Sequence, residues 1–220
     1  MKWSEQFQLR EKVHRRYPDL WRLRIVRKRL PFLLRYLKDG ESVLEVGAFN
    51  RDLGEKMKRY FPRTLYRSMD IDPAYPHDYS SFEEIGEKFD MVLLFEVIEH
   101  LGLEEGRAMV KKVHHVLKPG GRVVLTTPNV FTPGRYWTDA THLTPYHYEE
   151  LGGLLLGEEF ELVEICRLFN ASFLEYVVKV YLFSALFSFL GIDYTKSILV
   201  VAQKTPSSLF SPLRGRGEGA

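Results

Sequence analysis

The sequence contains little cysteine, little net charge and no recognisable export signal. Cys166 is the only cysteine, so an intramolecular disulfide is excluded and a reducing, cytoplasmic location is expected. We expect Cys166 to be a small buried residue within a strand. Residues 1–20 carry charges throughout and lack an apolar segment, so no signal peptide is predicted. The formal net charge of +2 does not identify a partner.

The composition is typical of a soluble globular protein with one buried core. Of the 220 residues, 45% are hydrophobic and 27% are charged. Apolar runs bounded by turn residues predict strands at 42–46, 64–69, 89–95, 122–127, 160–168 and 196–203. Helical spacing of apolar residues predicts helices at 52–60, 103–117 and 148–156. Strands that alternate with helices pair in parallel, which predicts a layered α/β fold.

The first predicted strand ends in a carboxylate and a glycine. Glu45 lies near the carboxyl end of this strand, and Gly47 allows a ligand to approach the backbone closely. Ligands of open α/β sheets bind in the crevice beyond such strand ends. Asp70 lies 23 positions after Gly47, at the end of the next strand. An acid at about 20 residues from the glycine turn is placed to hold a nucleoside ribose.

Residues 10–38 are strongly basic and contain few acids. Their apolar residues fall near helical spacing, so we predict one or two amphipathic helices, interrupted around Pro31, that form a cap over residues 1–40. Two interpretations of the basic surface remain open. It is a solvated helix face, or it binds a polyanion such as RNA or an anionic membrane surface.

Residues 173–192 are almost wholly apolar apart from Glu175 and Lys179. These two charges and Gly191 argue against a membrane-spanning helix, which needs about 20 apolar residues. A hydrophobic lid or insertion over 170–192, an oligomer contact and a membrane-surface helix all remain open. Residues 205–220 are rich in Ser, Pro, Arg and Gly, and we expect a disordered tail there.

Four stretches, in this order, carry a family resemblance: VLEVGAFN, SMDIDP, FDMVLLFEVIEHL and VLKPGGRVVLTTPN. Together they resemble the class I S-adenosylmethionine (SAM)-dependent methyltransferases. The resemblance implies a Rossmann-like, doubly wound, seven-stranded and mostly parallel sheet. It also implies a methyltransferase domain over 41–204, in which 196–203 is the last, antiparallel strand.

The same resemblance implies a SAM site formed by Glu45, Gly47, Asp70, Asp72, Asp78 and Phe95. Glu45 and Gly47 would line the methionine end of the cofactor. Asp70 would hold the ribose hydroxyls, with Asp72 as a second ribose acid. Asp78 would accept a hydrogen bond from the adenine amino group, and Phe95 would pack beside the adenosyl moiety.

The glycine turn departs from the family pattern. Phe49 and Arg51 stand where the family usually has further glycines, and a Phe there would restrict the approach of the backbone to the cofactor. We expect Asn50 to relieve this restriction, because Asn tolerates left-handed conformations. The departure leaves open a non-catalytic interaction protein that uses the fold without cofactor.

Methyl transfer requires a positioned nucleophile and in some cases a base. His100, His142 and His147 are candidate bases. If the chain turns helical after Phe95, Glu96, Glu99 and His100 fall on one helix face.

EVIEH followed by TPN and a Thr-His stretch resembles two metal-linked groups. These are the small-RNA 3′-terminal 2′-O-methyltransferases and the ubiquinone-pathway O-methyltransferases of the methyltransferase type 11 group. The resemblance implies that Glu96, Glu99, His100 and His142 coordinate Mg²⁺ or a similar divalent metal. His100 and His142 are then the predicted catalytic residues.

The predicted activity is O-methylation of a small or lipid-like acceptor. The aromatic stretch 130–148, a candidate substrate rim, and the apolar segment 173–192 favour an apolar acceptor. RNA 2′-O-methylation is the alternative that the basic amino-terminal region favours. A homo-oligomer and a membrane-peripheral location are compatible with the apolar segment.

Overall fold

Seven strands form one sheet in the computed structural model, which describes residues 3–169 and 172–205. They are β1 Arg24–Val26, β2 Ser42–Val46, β3 Leu65–Met69, β4 Phe89–Phe95, β5 Leu117–Pro128, β6 Phe160–Leu168 and β7 Ser197–Lys204. The order is β1-β6-β7-β5-β4-β2-β3. β7 is antiparallel to β5 and β6, and the other pairs are parallel. The predicted Rossmann-like, mostly parallel sheet is therefore confirmed.

Helices cover both faces of the sheet. They are α1 Trp3–Arg16, α2 Arg29–Leu33, α3 Asp52–Lys58, α4 Leu103–Val116, α5 Tyr148–Gly157, α6 Phe173–Val177 and α7 Ser184–Phe189. Successive strand residues point to opposite faces, which divides the core into two clusters. α1, α4 and α5 pack in the cluster that includes Leu44, and α2 and α3 pack in the cluster that includes Val43. Cys166 is buried in β6, as predicted.

The amino-terminal segment contains a strand that the sequence pattern did not predict. Residues 24–26 were predicted to be helical, and this prediction is wrong, because they form β1 at the sheet edge beside β6. Val26 is buried, and its carbonyl accepts a hydrogen bond from Phe169 N at 2.8 Å. The amino-terminal segment up to residue 40 therefore contributes α1, β1 and α2. With β1, the six strands predicted from the sequence pattern become seven.

Residues 173–190 form the apolar insertion that precedes β7. α6 and α7 flank a single π-helical turn, Val178–Leu182. Tyr176, Val180 and Phe187 pack against Phe169 and Tyr194 at the carboxyl end of β6. Within the described ranges, no helix has the length and apolar character that crossing a membrane requires. Residues 170–171 and the predicted disordered tail beyond Thr205 lie outside the described residues.

Candidate active site

A cavity of about 510 Å³ opens at the carboxyl ends of β2 and β4. Its walls include Lys28, Arg29, Glu45, Gly47, Phe49 and Phe95. The crevice at this edge of a parallel sheet is the usual ligand site of the fold. Three of the predicted cofactor residues therefore line one cavity, and two basic residues from the amino-terminal segment complete it.

Gly47 has the conformation and the surroundings that only glycine permits. Its φ is +70°, in the left-handed region, and a β-carbon at this position would overlap the side chain of Val97. The Gly47 amide donates to Met69 O at 2.9 Å, which ties the turn to the end of β3. The turn therefore presents bare backbone to the cavity.

The non-glycine residues of the turn also adopt left-handed conformations. φ is +44° at Phe49 and +63° at Arg51, so the expectation that Asn50 would supply this conformation is wrong. Asn50 instead accepts a hydrogen bond from Asp52 N at 3.1 Å, at the start of α3. The Phe49 side chain is 60% exposed and packs edge-on against Tyr75. Phe49 and Arg51 thus adopt the left-handed conformation that glycines would adopt without cost, and their backbone is strained.

Glu45 is a buried carboxylate in the cavity wall, only 6% exposed. It accepts a hydrogen bond from the Tyr66 hydroxyl at 2.5 Å. Burial raises the pKa of Glu45 to about 7, although the Tyr66 hydrogen bond and the Arg29 charge act in the opposite direction. Glu45 therefore gains from a cationic ligand group beside it, such as the ammonium of a methionine moiety.

Arg29 faces Glu45 from the amino-terminal segment. Its guanidinium lies 4.3 Å from the centroid of the Phe95 ring, within range of a cation–π interaction. Burial lowers the pKa of Arg29, and the carboxylates of Glu45 and Glu96 oppose this shift. Sequence reasoning missed Arg29 because residues 10–38 were assigned as a whole to a helical cap. The run RKRLP at 27–31 gave no sign that it belonged to the cavity.

The three predicted nucleoside acids follow β3. Asp70 accepts hydrogen bonds from Phe49 N at 2.8 Å and from Asp72 N at 3.0 Å, so its carboxylate adjoins the cavity turn. Asp72 accepts from Ala74 N in the same way. Neither is among the cavity-lining residues.

Asp78 lies apart from the cavity and is held by four donors, one of which, Arg67 Nη1, lies 3.5 Å from Oδ1. Its Oδ2 accepts from Ser68 N at 2.9 Å, from Ser68 Oγ at 3.1 Å and from Arg51 at 3.0 Å. A contact between Asp78 and adenine would therefore compete with these donors.

A second group of polar side chains follows β4. Glu99, His100 and His142 offer one ligand atom each, and these atoms all lie within 4.8 Å of one another. Glu99 is fully buried, and neither of its carboxylate oxygens has a hydrogen-bond partner among the described residues. Burial, and then the charge of Glu96, raise the pKa of Glu99 to about 8. Such a carboxylate needs either a proton or a cation.

Neighbouring oxygens fix which nitrogen carries the proton in each neutral imidazole. The Thr141 hydroxyl donates to Asp139 Oδ1 at 2.7 Å, so it accepts the proton of His100 Nδ1 at 2.8 Å. His142 Nδ1 donates to the carbonyl of Tyr136 at 2.6 Å. In each ring the lone pair is therefore left on Nε2, where it can accept a proton or bind a metal.

Glu96, a predicted metal ligand, and His147, a candidate base, make other contacts. The chain does not turn helical directly after Phe95, which the grouping on one helix face required, because Glu96 has a φ of +53° and only the short turn Ile98–His100 follows. The side chain of Glu96 lies 3.6 Å from Arg135, and Glu96 does not join the group of Glu99 and the two histidines. His147 accepts from Glu149 N and caps α5, which indicates a structural role.

Known proteins with a similar sequence or fold include methyltransferases. The family model for a methyltransferase domain matches residues 14–177. A SAM-dependent methyltransferase from Archaeoglobus fulgidus has a TM-score of 0.64 and 18% identity, over 89% of this chain and 94% of that one. The N-methyltransferase NodS from Bradyrhizobium japonicum, in complex with S-adenosyl-L-homocysteine, has a TM-score of 0.52 and 17% identity, over 80% of this chain and 85% of that one.

The magnesium protoporphyrin IX methyltransferase ChlM from Synechocystis, with bound SAM, has a TM-score of 0.52 and 15% identity, over 80% of this chain and 76% of that one. At these identities the structures show a common fold. Comparison with curated proteins gives no match. The family match spans most of the chain, and it includes β2, β3, β4 and all residues that line the cavity. The chain therefore belongs to the class I S-adenosylmethionine-dependent methyltransferases.

Proposed function

We propose that this enzyme transfers the methyl group of SAM to a hydroxyl oxygen of a small or lipid-like acceptor. The observation that carries the proposal is the group of Glu99, His100 and His142, because it places a buried carboxylate and two imidazoles beside the end of β4. A hydroxyl nucleophile is more reactive when its proton is removed, and these groups supply either a base or a metal site. Family membership favours catalysis over the non-catalytic alternative.

The cavity suits the charges of SAM. The cofactor carries an ammonium, a carboxylate and a sulfonium. Glu45 would face the ammonium, and Lys28 and Arg29 provide cations for the carboxylate. The bare backbone at Gly47 leaves room for the methionine moiety, and Asp70 would receive the ribose hydroxyls. The assignment of these residues to parts of the cofactor is our proposal.

SAM supplies an electrophilic methyl group. In the transfer, the bond between sulfur and the methyl carbon breaks as the acceptor oxygen forms its bond to that carbon. The hydroxyl proton would pass to Nε2 of His142 or His100, whose lone pair the Nδ1 contacts leave free. The rest of the catalysis is positioning and exclusion of water.

S-adenosyl-L-homocysteine (SAH) binding, measured by calorimetry, tests the proposed cofactor site. We expect the wild type to bind SAH and Asp70→Ala to bind about 10- to 150-fold more weakly, because hydrogen bonds to a charged acceptor contribute about 1.5–3 kcal/mol. Asp19→Ala is the matched control, since Asp19 also accepts a hydrogen bond from an amide two residues on but lies outside the proposed cofactor site. Equal losses in the two variants would contradict the assignment of Asp70. A wild type that does not bind SAH would contradict the function itself.

We also propose that Glu99, His100 and His142 hold Mg²⁺ or another divalent metal. The unpartnered carboxylate of Glu99 and the two Nε2 lone pairs are a suitable donor set, and imidazole donors favour transition metals such as Mn²⁺ over Mg²⁺. A bound metal would orient the acceptor hydroxyl and lower its pKa.

Titration of the EDTA-treated protein with Mn²⁺ and with Mg²⁺ tests the metal proposal without any activity measurement. We expect a saturable heat in the wild type and at least a tenfold loss of affinity in His100→Ala, because a ligand is removed. His115→Ala, an exposed histidine on α4, is the control and should bind as the wild type does. If His100→Ala binds equally well, or if no heat is seen, the group acts as a metal-free base.

RNA 2′-O-methylation is the second candidate. It draws support from the same polar group and from the basic residues of 10–38. Transfer of labelled methyl from SAM to an RNA fraction rather than to a lipid fraction would favour it. Its RNA binding should also weaken steeply with salt.

A further inference from the structure

Segment 173–190 presents a contiguous apolar surface to solvent. Its exposed apolar residues include Phe173, Leu174, Leu182, Leu186, Phe189 and Leu190, which form what we call the apolar face. Phe189 is 87% exposed and Leu174 is 73% exposed. Single exposed apolar residues are ordinary, whereas a contiguous set of this kind marks an interaction site.

The apolar face is not a loose part of the core. The opposite side of the same segment is anchored, because Tyr176, Val180 and Phe187 pack against the cluster at the end of β6. The two charges of the segment neutralise each other, since Lys179 Nζ lies 2.7 Å from Glu175 Oε1. The segment therefore holds its remaining apolar residues outward without an unpaired charge.

A basic cleft adjoins the apolar face. Arg24, Arg27, Lys28 and Arg35 line a cavity of about 280 Å³, and the Arg27 guanidinium lies 5.6 Å from the centroid of the Phe173 ring. Glu164 pairs with Arg24. In the part of the chain that the structure describes, no carboxylate forms an ion pair with Arg27, Lys28 or Arg35. The cleft therefore has unneutralised positive charge.

We propose that the apolar face and the basic cleft together form a docking surface for an anionic lipid bilayer. Exposed leucines and aromatics enter the boundary between headgroups and acyl chains, and the cleft binds headgroup phosphates. Both chemistries occur side by side only on a partner that is apolar and negatively charged. Packing against the apolar face of a second copy would give the basic cleft no anion, and RNA, whose bases stack on aromatic rings, would leave the exposed leucines without a role.

Docking also determines what the cofactor cavity faces. Lys28 and Pro31 line both the basic cleft and the cofactor cavity. The cavity mouth therefore lies beside the bilayer surface when the protein is docked. Use of that position to methylate a lipid rests on the proposed function, whereas docking itself does not.

Co-sedimentation with phosphatidylcholine vesicles, with and without phosphatidylglycerol, tests the docking surface. We expect the wild type to bind the anionic vesicles and to bind neutral vesicles at least tenfold more weakly. The variant Leu182→Asp/Leu186→Asp should lose at least tenfold in binding. The variant Arg27→Glu/Arg35→Glu should lose about fivefold for each positive charge removed.

Matched controls carry the same substitutions elsewhere. Leu65→Asp places a charge at an exposed leucine of β3, and Lys12→Glu/Arg15→Glu reverses two exposed charges of α1. Both should bind vesicles as the wild type does. Circular dichroism and SAH binding confirm that each variant is folded, and Phe189→Ser provides a second, milder change in the apolar face.

Three results would overturn the proposal. The first is a wild type that does not bind anionic vesicles. The second is undiminished binding by Leu182→Asp/Leu186→Asp, which would mean that charge alone attracts the protein. The third is a wild type that does not bind vesicles but has another partner at the same surface. That partner would be a second copy, if Leu182→Asp/Leu186→Asp dissociates a dimer, or RNA, if Arg27→Glu/Arg35→Glu abolishes RNA binding. In all three cases SAH binding by the wild type would still support the enzyme function.

Discussion

Gly47→Ala is expected to lower the free energy of unfolding by about 2–5 kcal/mol and to remove measurable SAH binding. A left-handed conformation costs an L-residue about 1–2 kcal/mol, and forcing a methyl group against a packed side chain costs about 1–3 kcal/mol. Here the new β-carbon would overlap Val97, which lies two residues beyond the end of β4. Either Val97 or the turn must move, and the turn lines the proposed cofactor cavity. Urea denaturation and SAH calorimetry measure the two effects.

The variant Gly40→Ala separates the cost of a left-handed backbone conformation from the cost of steric overlap with a neighbouring side chain. Gly40 also has a left-handed φ, +94°, but no described atom lies within 4 Å of a β-carbon placed there. This variant should lose only about 1–2 kcal/mol and should bind SAH as the wild type does. If Gly47→Ala were no less stable than Gly40→Ala, the overlap of the new β-carbon with Val97 would not contribute to the loss of stability.

Asp193→Ala is expected to destabilise the fold by about 3–5 kcal/mol, because it leaves a buried arginine without its counter-charge. Arg167 Nη1 lies 3.0 Å from Asp193 Oδ1, and both side chains are almost fully excluded from solvent. The second oxygen of Asp193 accepts from Asn129 at 2.7 Å and from Thr195 at 2.6 Å. The substitution therefore also loosens the carboxyl end of β5, from which the loop that carries His142 departs. Thermal and urea unfolding measure the loss.

The double variant Asp193→Ala/Arg167→Met distinguishes a lost ion pair from a general packing defect. Removal of both charges should recover much of the stability, since no buried charge then remains unpaired. Glu55→Ala breaks an exposed ion pair with Lys58 and should change stability by less than about 1 kcal/mol. A double variant as unstable as Asp193→Ala would show that the cavity, and not the charge, is responsible.

The strands with local signals could be predicted from the sequence. β2 and β4 are continuous apolar runs, and the glycine turn and Asp70 lie at informative spacing. β1 could not be predicted in this way, because its three residues gain their hydrogen bonds from β6 far along the chain. The left-handed Glu96 likewise breaks the helical spacing that would have grouped it with Glu99.

The cofactor cavity and the polar group were predictable to different extents. Gly47 and Glu45 follow from the strand pattern, whereas Arg29 reaches the cavity only because β1 directs the chain toward it. For the polar group, the motif EVIEH indicated Glu99 and His100. Their arrangement depends on contacts such as Thr141 with His100, which only the fold creates. Sequence spacing identifies elements, and tertiary contacts decide which side chains meet.

The position of β1 has a consequence for how the enzyme matures during synthesis. Arg24 pairs with Glu164, 140 positions later, so this edge of the sheet cannot close until β6 has left the ribosome. Lys28 and Arg29, which follow β1 immediately, wall the cofactor cavity. Pairing across so long a stretch of chain is slow, because a large loop must close first. A nascent chain that has already made β2, β3 and β4 would therefore still lack the intact cavity proposed to bind the cofactor, so cofactor binding there would wait for one of the last steps of folding.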